Sequence, residues 1–275
     1  MKYRLLVVDI DGTLINKDGN ISNEDREAVA KVRRSGIGVS LSTGRAAQGC
    51  RPIIEQLALD GYHIFFDGAL VYNPQRDEEV YVKPLDSGLV REAIEFAQKN
   101  DTYLELYSSS RFFVERETWA TEIHHKFFNL EPVVVDFSGL WDKERIVKGG
   151  LVTASPEEIA KAKEFRLRFD QRLHFSIART PAYPGVEFIN IVDLSVSKGK
   201  ALAALVSHLG TSLTEVMAIG DGINDIPLLS SAGLAVAMDN APDEVKAIAH
   251  YVTKDVDHSG LAAAVKRFLL DDKKN

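Results

Sequence analysis

Two short apolar runs, far apart in the chain, each lead directly into an acidic loop. Residues 5–8 precede Asp9 and Asp11, and residues 216–219 precede Asp221 and Asp225. Apolar runs of this length are typical of buried strands, and in an open parallel sheet ligands collect outside the carboxyl ends of the strands. We therefore expect the two loops to meet in one crevice of an α/β fold, where their carboxylates favour a hard divalent cation such as Mg²⁺.

Strand and helix patterns alternate at both ends of the chain. After the first strand, the sequence predicts a helix at 23–35, a strand at 37–41, a helix at 47–59 and a strand at 63–66. The alternation resumes with a helix at 198–209 and continues to a last helix at 258–269. Repeated βα units of this kind predict a Rossmann-like parallel sheet with helices on both faces.

The pattern changes in the middle of the chain. Strand patterns at 102–107 and 111–116 are separated by a short polar turn, which indicates a hairpin that a wholly parallel sheet would not contain. We therefore predict an α+β domain at residues 84–190, which is inserted into an α/β core made of residues 1–83 and 191–275.

The composition limits the classes of partner. Forty acidic and 33 basic residues give a net charge of −7, and no stripe of Lys and Arg is present, which argues against nucleic acid or an anionic membrane as partner. The single Cys50 argues against a disulfide framework. With no signal-like start and no long apolar segment, a cytoplasmic protein is expected. The oligomeric state is not indicated.

Polar residues at the predicted strand ends suit the chemistry of phosphate esters, which hydrolyse extremely slowly in water. Asp9 could act as a nucleophile and split the reaction into two displacements. Lys198 and a divalent cation would neutralise the repulsion between two anions. Asp11, two residues further on, could protonate the leaving oxygen and later take a proton from water. A small phosphorylated molecule is therefore the expected substrate.

Four short sequences stand in chain order as Asp9-Ile10-Asp11-Gly12-Thr13, Ser42-Thr43-Gly44-Arg45, Ser197-Lys198-Gly199 and Gly220-Asp221-Gly222-Ile223-Asn224-Asp225. They resemble the four motifs of the haloacid dehalogenase superfamily, and in particular its Cof-type sugar-phosphatase branch with a large α/β cap of the C2 type. The likeness covers essentially the whole chain, and it implies that residues 84–190 are the cap domain and that residues 1–83 and 191–275 are the catalytic core.

The resemblance implies a role for each matching residue. Asp9 would be the nucleophile and Asp11 the general acid and base. The phosphate would be held by five groups: the backbone of Ile10, together with Thr43, Gly44, Lys198 and Asn224. Mg²⁺ would be bound by Asp9, the backbone carbonyl of Asp11 and Asp221, with Asp225 in support. The resemblance thus implies an Mg²⁺-dependent phosphatase that works through an aspartyl-phosphate.

The four motifs do not predict which substrate the protein selects. Asp67-Gly68-Ala69 stands where many relatives have Asn-Gly-Ala, so a carboxylate replaces an amide near the phosphate or the sugar. In the cap, Glu105, Arg179, Tyr183 and Glu187 are candidates for substrate contacts, and the sequence gives no means of choosing among them.

Two other functions use the same first step. A phosphomutase or phosphotransferase would pass the phosphoryl group from the aspartate to a sugar hydroxyl instead of to water. A receiver-like signalling module would only be phosphorylated, without turnover. Asp11 and the predicted cap argue against the signalling module, because a switch needs neither a leaving-group acid nor a lid.

Overall fold

The computed structural model describes residues 2–128, 130–178 and 183–270. Within these residues the chain divides into two compact units. The first unit takes the residues up to Gly44, Pro52–Tyr81 and Ser197 onward, and the second takes Arg45–Arg51 and Val82–Val196. The assignment of a catalytic core and of a cap at residues 84–190 stays a prediction.

Strands and helices are numbered along the chain. The strands are β1 (Leu5–Asp9), β2 (Gly38–Ser42), β3 (His63–Phe65), β4 (Leu70–Asn73), β5 (Glu78–Val82), β6 (Glu105–Tyr107), β7 (Phe112–Val114), β8 (Pro132–Val134), β9 (Lys148–Thr153), β10 (Leu173–Ala178), β11 (Glu187–Asp193), β12 (Val216–Gly220), β13 (Leu234–Ala237) and β14 (Tyr251–Val252). The helices are α1 (Asn23–Arg34), α2 (Ala47–Gln56), α3 (Ser87–Lys99), α4 (Trp119–Phe128), α5 (Leu140–Lys143), α6 (Pro156–Phe169), α7 (Lys198–His208), α8 (Ile226–Ser231), α9 (Asp243–Ile248) and α10 (Gly260–Val265).

The first unit contains a sheet in the order β14-β13-β12-β1-β2-β3-β4-β5 among the described residues. From β14 to β3 every neighbouring pair is parallel. The central strand β1 pairs with β12 on one side and with β2 on the other, so that Asp9 lies opposite Ser42. The α/β fold with a parallel sheet is thus confirmed, and the carboxyl ends of β1, β2 and β12 lie side by side.

Burial of β1 and β12 and a capping serine before α7 stabilise the elements around these strand ends. All five residues of β1 and all five of β12 are buried, as expected for strands covered on both faces. Helix α7 begins after Ser197, whose side chain accepts a hydrogen bond from the backbone N–H of Lys200 at 3.2 Å. A serine in this position stabilises the start of a helix. The helix start at Ser197 places Lys198 in the first turn of α7, where the lysine side chain is buried.

Strands β4 and β5 were not predicted from the sequence. β4 pairs antiparallel with β3, and β5 is the last strand of the sheet. The pattern of β5 is weak because all five of its residues are only partly buried. A half-buried strand at the edge of a sheet lacks the apolar run that marks the central strands.

The second unit contains a mainly antiparallel sheet in the order β10-β11-β9-β6-β7-β8 among the described residues. The predicted hairpin is confirmed, since Leu106 lies opposite Phe113 in the antiparallel pair β6–β7. An apolar core includes residues of α3, α6 and one face of this sheet, among them Ile94, Phe165 and Leu151. A parallel sheet and a mainly antiparallel sheet therefore occur in one chain, with separate cores.

The helices in the described ranges are short. The longest of them, α6, has 14 residues, whereas a bilayer crossing takes roughly 20 apolar residues. None of the described helices has both the length and the apolar character that such a crossing requires.

His63 in β3 is a buried titratable group away from the acidic loops. Its Nδ1 accepts a hydrogen bond from the backbone N–H of Leu41 at 3.1 Å, so the ring is neutral with its proton on Nε2. Among the described residues, Nε2 has no hydrogen-bond partner. Burial lowers the pKa of His63 to about 3, because a charged imidazolium would lose its hydration there.

Acid is therefore expected to destabilise the first unit through His63. In the unfolded chain the pKa of histidine is about 6.5, so below that pH the unfolded state binds a proton that the folded state does not. Stability is lost as the pH falls from about 6.5 towards 3, by roughly 3 to 5 kcal/mol in total. Urea unfolding at a series of pH values would measure this loss. A His63→Gln variant, which keeps an acceptor and does not titrate, should lose markedly less; equal losses would contradict the assignment.

Candidate active site

The loop after β1 folds back on itself directly beyond Asp9. The backbone N–H groups of Leu14 and Ile15 donate to the carbonyl oxygen of Ile10 at 3.0 and 2.9 Å. The side chain of Ile10 is buried, so its backbone is the part that can reach a ligand. Asp9 is buried, whereas Asp11 is exposed. One carboxyl group is thus shielded from water, and the other is accessible to a leaving group.

Gly12 lets this loop lie against the loop that follows β12. Its φ is +85°, in the left-handed region, and a Cβ at this position would lie 2.3 Å from Oδ2 of Asp221. The hydroxyl of Thr13 donates to Oδ1 of Asp221 at 2.6 Å. Nδ2 of Asn240 donates to the Gly12 carbonyl at 2.9 Å and to Oδ2 of Asp221 at 3.2 Å. These contacts hold the Asp221 carboxylate beside the first loop.

The buried side chain of Lys198 connects the loop after β1 with the loop after β12. Its ammonium donates to Oδ1 of Asp9 and to Oδ1 of Asp225, each at 2.6 Å, and to the carbonyl oxygen of Ser42 at 3.3 Å. The side chains of Lys198 and Asp225 have no exposed surface. A buried lysine with two carboxylate partners remains charged and orients both of them.

Asp225 has a second set of partners in its own loop. Its Oδ2 accepts hydrogen bonds from the backbone N–H groups of Asp221 and Gly222 at 3.0 and 2.9 Å. Both oxygens of Asp225 therefore have protein donors: Lys198 donates to Oδ1, and the loop backbone donates to Oδ2. This arrangement suits the supporting role expected for Asp225, because it fixes the loop that carries Asp221.

Three carboxylates form a cluster with the donor chemistry of a cation site. Asp9, Asp221 and Asp225 each offer a carboxylate oxygen within 4.8 Å of the others. Burial raises the pKa of Asp9 well above its usual value; the charges of Asp225 and Asp221 add to this, and the ammonium of Lys198 opposes it. Burial also raises the pKa of Asp221 to about 6, against the hydrogen bond from Thr13.

The charges of this cluster favour a divalent ion. When all groups are ionised, the three carboxylates and the ammonium of Lys198 leave two uncompensated negative charges. Carboxylate oxygens are the ligands that Mg²⁺ prefers, and Mg²⁺ uses only one or two of them in most sites. Asp9 and Asp221 fit that role better than the third member, Asp225, because the Asp225 side chain has no exposed surface and its Oδ1 is bonded to Lys198.

The phosphate-binding candidates lie around the same edge of the sheet. Thr43 follows β2, is buried, and donates its backbone N–H to Ile64 at 2.9 Å. Nδ2 of Asn224 donates to Oδ1 of Asp67 at 2.8 Å. At Gly44 a Cβ would lie 3.0 Å from Oδ1 of Asp67. The loops that carry Thr43, Gly44 and Asn224 therefore meet at Asp67.

Hydrogen bonds and close contacts link the predicted site residues into two groups. Contacts connect Asp9, Lys198, Asp221 and Asp225 in one network, and Gly44 and Asn224 in a second around Asp67. Ile10 and Asp11 lie in the loop that directly follows Asp9 at the end of β1. The assigned roles of these residues stay predictions.

Two further polar side chains belong to the site and were missed from the sequence. Thr13 and Asn240 both bond to Asp221. Thr13 was quoted only as part of a motif, although a hydroxyl two residues after Asp11 could reach the neighbouring loop. Asn240 lies just beyond β13, and its signal was the same as for the other loops: a polar residue after a buried apolar strand.

The candidates for substrate contact in the second unit have different positions. Glu105 is buried, where the hydroxyl of Tyr107 donates to Oε2 at 2.9 Å and Nε2 of His124 lies 2.9 Å from Oε1. Tyr183 and Glu187 are partly buried. Arg179 lies outside the described residues.

Comparison with known proteins gives consistent matches over nearly the whole chain. A family model described as haloacid dehalogenase-like hydrolase matches residues 6–265. Phosphatase YwpJ of Bacillus subtilis is 30% identical over 97% of this chain and 100% of its own. The 5-amino-6-(5-phospho-D-ribitylamino)uracil phosphatase YcsE of the same species is 28% identical, over 97% of this chain and 96% of its own.

A solved structure agrees with these sequence matches. The crystal structure of a haloacid dehalogenase-like hydrolase from Bacteroides thetaiotaomicron superimposes with a TM-score of 0.83 and 26% identity. The superposition covers 98% of this chain and 100% of the other. The similarity therefore extends over both units of the chain.

Proposed function

Because the chain belongs to the haloacid dehalogenase-like hydrolase family, we propose that it is a phosphatase that hydrolyses small phosphorylated metabolites through an aspartyl-phosphate. The observation that carries the proposal is the network in which Lys198 bonds to Asp9 and to Asp225 at 2.6 Å, beside Asp221. Relatives that match the chain end to end are named phosphatases, which supports the same reaction.

Asp9 is proposed as the nucleophile. Lys198 holds one of its oxygens, which leaves the other to attack the phosphorus atom. In the first step a bond forms between this oxygen and phosphorus, and the bond from phosphorus to the ester oxygen breaks. In the second step a water oxygen attacks the same phosphorus, the bond to Asp9 breaks, and inorganic phosphate leaves.

Asp11 is proposed as the group that moves protons in both steps. Its carboxyl group gives a proton to the ester oxygen as the alcohol leaves, and the resulting carboxylate takes a proton from the attacking water. Its exposed position suits this task, because leaving group and water must both reach it.

The remaining residues bind and orient the phosphate. Lys198, the Asn224 amide and the Thr43–Gly44 loop are proposed to donate to its oxygens, where negative charge develops during the reaction. A Mg²⁺ ion held by Asp9, the Asp11 carbonyl and Asp221 would neutralise charge on the phosphate. The ligand chemistry and net charge of the cluster support this choice of ion.

We further propose a functional division between the core and residues 84–190. All of the proposed catalytic and phosphate-binding residues lie in the first unit, so the inserted residues are available to select the substrate. The phosphorylated ribityl compound in the name of one relative supports phosphorylated sugars and polyols as the substrate class. Substitutions at residues 84–190 should then change the ranking of substrates more than the rate on nitrophenyl phosphate.

A substrate screen tests the proposed function. The chain is incubated with Mg²⁺ and a panel of sugar phosphates, polyol phosphates and nucleotides, and inorganic phosphate is measured. Release that is absent in an Asp9→Asn control supports hydrolysis. An isomeric phosphate ester without free phosphate would instead indicate a phosphomutase, and a stable phosphoprotein without turnover would indicate a signalling module.

Asp11→Asn is expected to lower kcat by about 10²–10⁴, because an amide cannot exchange the proton. The loss should be smaller for nitrophenyl phosphate, whose acidic leaving group needs no protonation in the first step. Single-turnover rates on a sugar phosphate and on nitrophenyl phosphate would measure both losses. Equal losses on the two substrates would rule out the general-acid role.

A further inference from the structure

Asp67 lies in a turn with an unusual backbone. Phe66, Asp67 and Gly68 follow one another with φ values of 53°, 55° and 102°, all in the left-handed region. Residues other than glycine adopt this backbone conformation at a cost in free energy, and they keep it where the surrounding structure holds them in it. At Gly68 a Cβ would lie 2.4 Å from the carbonyl oxygen of Ser197 and 2.8 Å from the backbone nitrogen of Lys198. The turn is thus packed against the first residues of α7.

Asp67 connects two loops of the proposed phosphate cradle, which we define as Thr43, Gly44, Lys198 and Asn224. Its backbone N–H donates to the carbonyl oxygen of Thr43 at 3.0 Å. Its Oδ1 accepts a hydrogen bond from Nδ2 of Asn224 at 2.8 Å. The Asp67 side chain is buried, with 5% of the residue surface exposed. A carboxylate is therefore built into the cradle at the point where its loops meet.

The contact between Asp67 and Asn224 allows one orientation of the amide. An ionised carboxylate accepts hydrogen bonds and donates none, so Asn224 must turn its NH₂ group towards Asp67. That group has a second N–H for a ligand. An asparagine at position 67 would carry an amide that could present either its oxygen or its nitrogen to Asn224. The carboxylate therefore fixes which atom of Asn224 serves the cradle.

The negative charge of Asp67 also interacts with the ammonium group of Lys198. Burial lowers the pKa of Lys198, but Asp225, Asp9 and Asp67, in that order, raise it above its usual value. A negative charge that interacts with Lys198 also repels a phosphate bound to Lys198, and the low local dielectric strengthens this effect. Repulsion of this kind acts on substrate and product alike, and on inorganic phosphate most directly because it has no other contacts.

We propose that Asp67 is a positioning residue that orients the Asn224 amide and keeps the affinity of the cradle for inorganic phosphate low, so that the product leaves quickly. The proposal rests on the proposed phosphatase function.

Kinetics of two variants at Asp67 separate its two effects. Asp67→Ala removes the acceptor and should lower kcat/KM by about tenfold or more, because Asn224 loses its orientation. Asp67→Asn keeps an acceptor and should restore most of that loss, while the inhibition constant of inorganic phosphate falls by at least about fivefold. The matched control is Asp77→Asn. Asp77 is exposed, has a φ of 52° and accepts a hydrogen bond from Tyr72, so the control removes the same charge outside the site.

A double-mutant cycle tests whether Asp67 acts through Asn224. In an Asn224→Ala background, Asp67→Ala should no longer lower kcat/KM, since no amide remains to be oriented and only the repulsive charge is removed. Independent, multiplicative losses in the two single variants and the double variant would overturn the positioning role. A merely structural role for Asp67 would give such losses.

Phosphate binding gives a readout that needs no turnover. Titration calorimetry with inorganic phosphate and Mg²⁺ should show binding to Asp67→Asn at least about fivefold tighter than to the wild type, with Asp77→Asn unchanged. If no ester on the panel is hydrolysed, the proposed function fails, and the tighter binding alone still supports this inference. Equal phosphate affinities of wild type and Asp67→Asn, or no phosphate binding by either, would overturn it.

Discussion

Asp9→Asn is expected to abolish turnover on every phosphate ester that the wild type hydrolyses. The amide is neither a nucleophile nor a good ligand for a hard cation, so the substitution removes the first bond-forming step and one metal ligand together. Loss of a single transition-state donor already costs about 10²–10³ in rate, and loss of the nucleophile should cost more. The measurement is inorganic phosphate release at high enzyme concentration.

A protein that has unfolded would also be inactive, so the variant needs a structural control. Asp9 accepts a hydrogen bond from Lys198 at 2.6 Å, and an asparagine can accept one there through its carbonyl oxygen. The far-ultraviolet circular dichroism of Asp9→Asn should therefore match that of the wild type. Activity within about tenfold of the wild type, where donor loss alone typically costs more, would disprove the nucleophile assignment.

Removal of divalent ions is expected to reduce phosphate release to background. Carboxylate oxygens of Asp9, Asp221 and Asp225 lie within 4.8 Å of one another, and the ammonium of Lys198 balances one of the three charges, so the dianionic substrate would meet net negative charge. Activity should return on addition of Mg²⁺ after exhaustive chelation. It should return poorly with Ca²⁺, which takes more oxygen ligands at longer distances and with looser geometry.

A second readout separates metal binding from catalysis. The melting temperature of the chelated protein should rise on addition of Mg²⁺, because an ion that binds only the folded state stabilises it by mass action. Asp221→Asn should show a smaller rise. Full activity after chelation, verified by elemental analysis, would refute the metal-assisted mechanism.

The sequence was sufficient to predict the sheet edge but not the contacts across it. The apolar runs before Asp9 and Asp221 predicted two buried strands whose following loops meet in one crevice, and β1 and β12 are parallel neighbours in the sheet. Strand ends converge by geometry in a parallel sheet, so side chains at those ends could be grouped without a structure. Which of them bond to one another depends on side-chain conformation, and the bonds from Lys198 to Asp9 and Asp225 could not be derived from the sequence.

The missed residues share a physical reason. Thr13 and Asn240 act on Asp221 by hydrogen bonds across loops, and neither residue type signals such a role on its own. Strand β5 was missed because a half-buried edge strand has a weak apolar pattern. Features determined by apolar periodicity were thus predictable, and features determined by loop conformation were not.

The position of β1 between β2 and β12 has a consequence for how the chain folds. β1 can pair with β2 early, but its other neighbour begins at Val216, and Lys198 reaches Asp9 across 189 residues. Contacts this distant in sequence slow folding. Until the last third of the chain leaves the ribosome, one edge of the buried strand β1 stays unpaired, and such edges promote aggregation. Expression of this protein should therefore respond to chaperone supply more than its final stability would suggest.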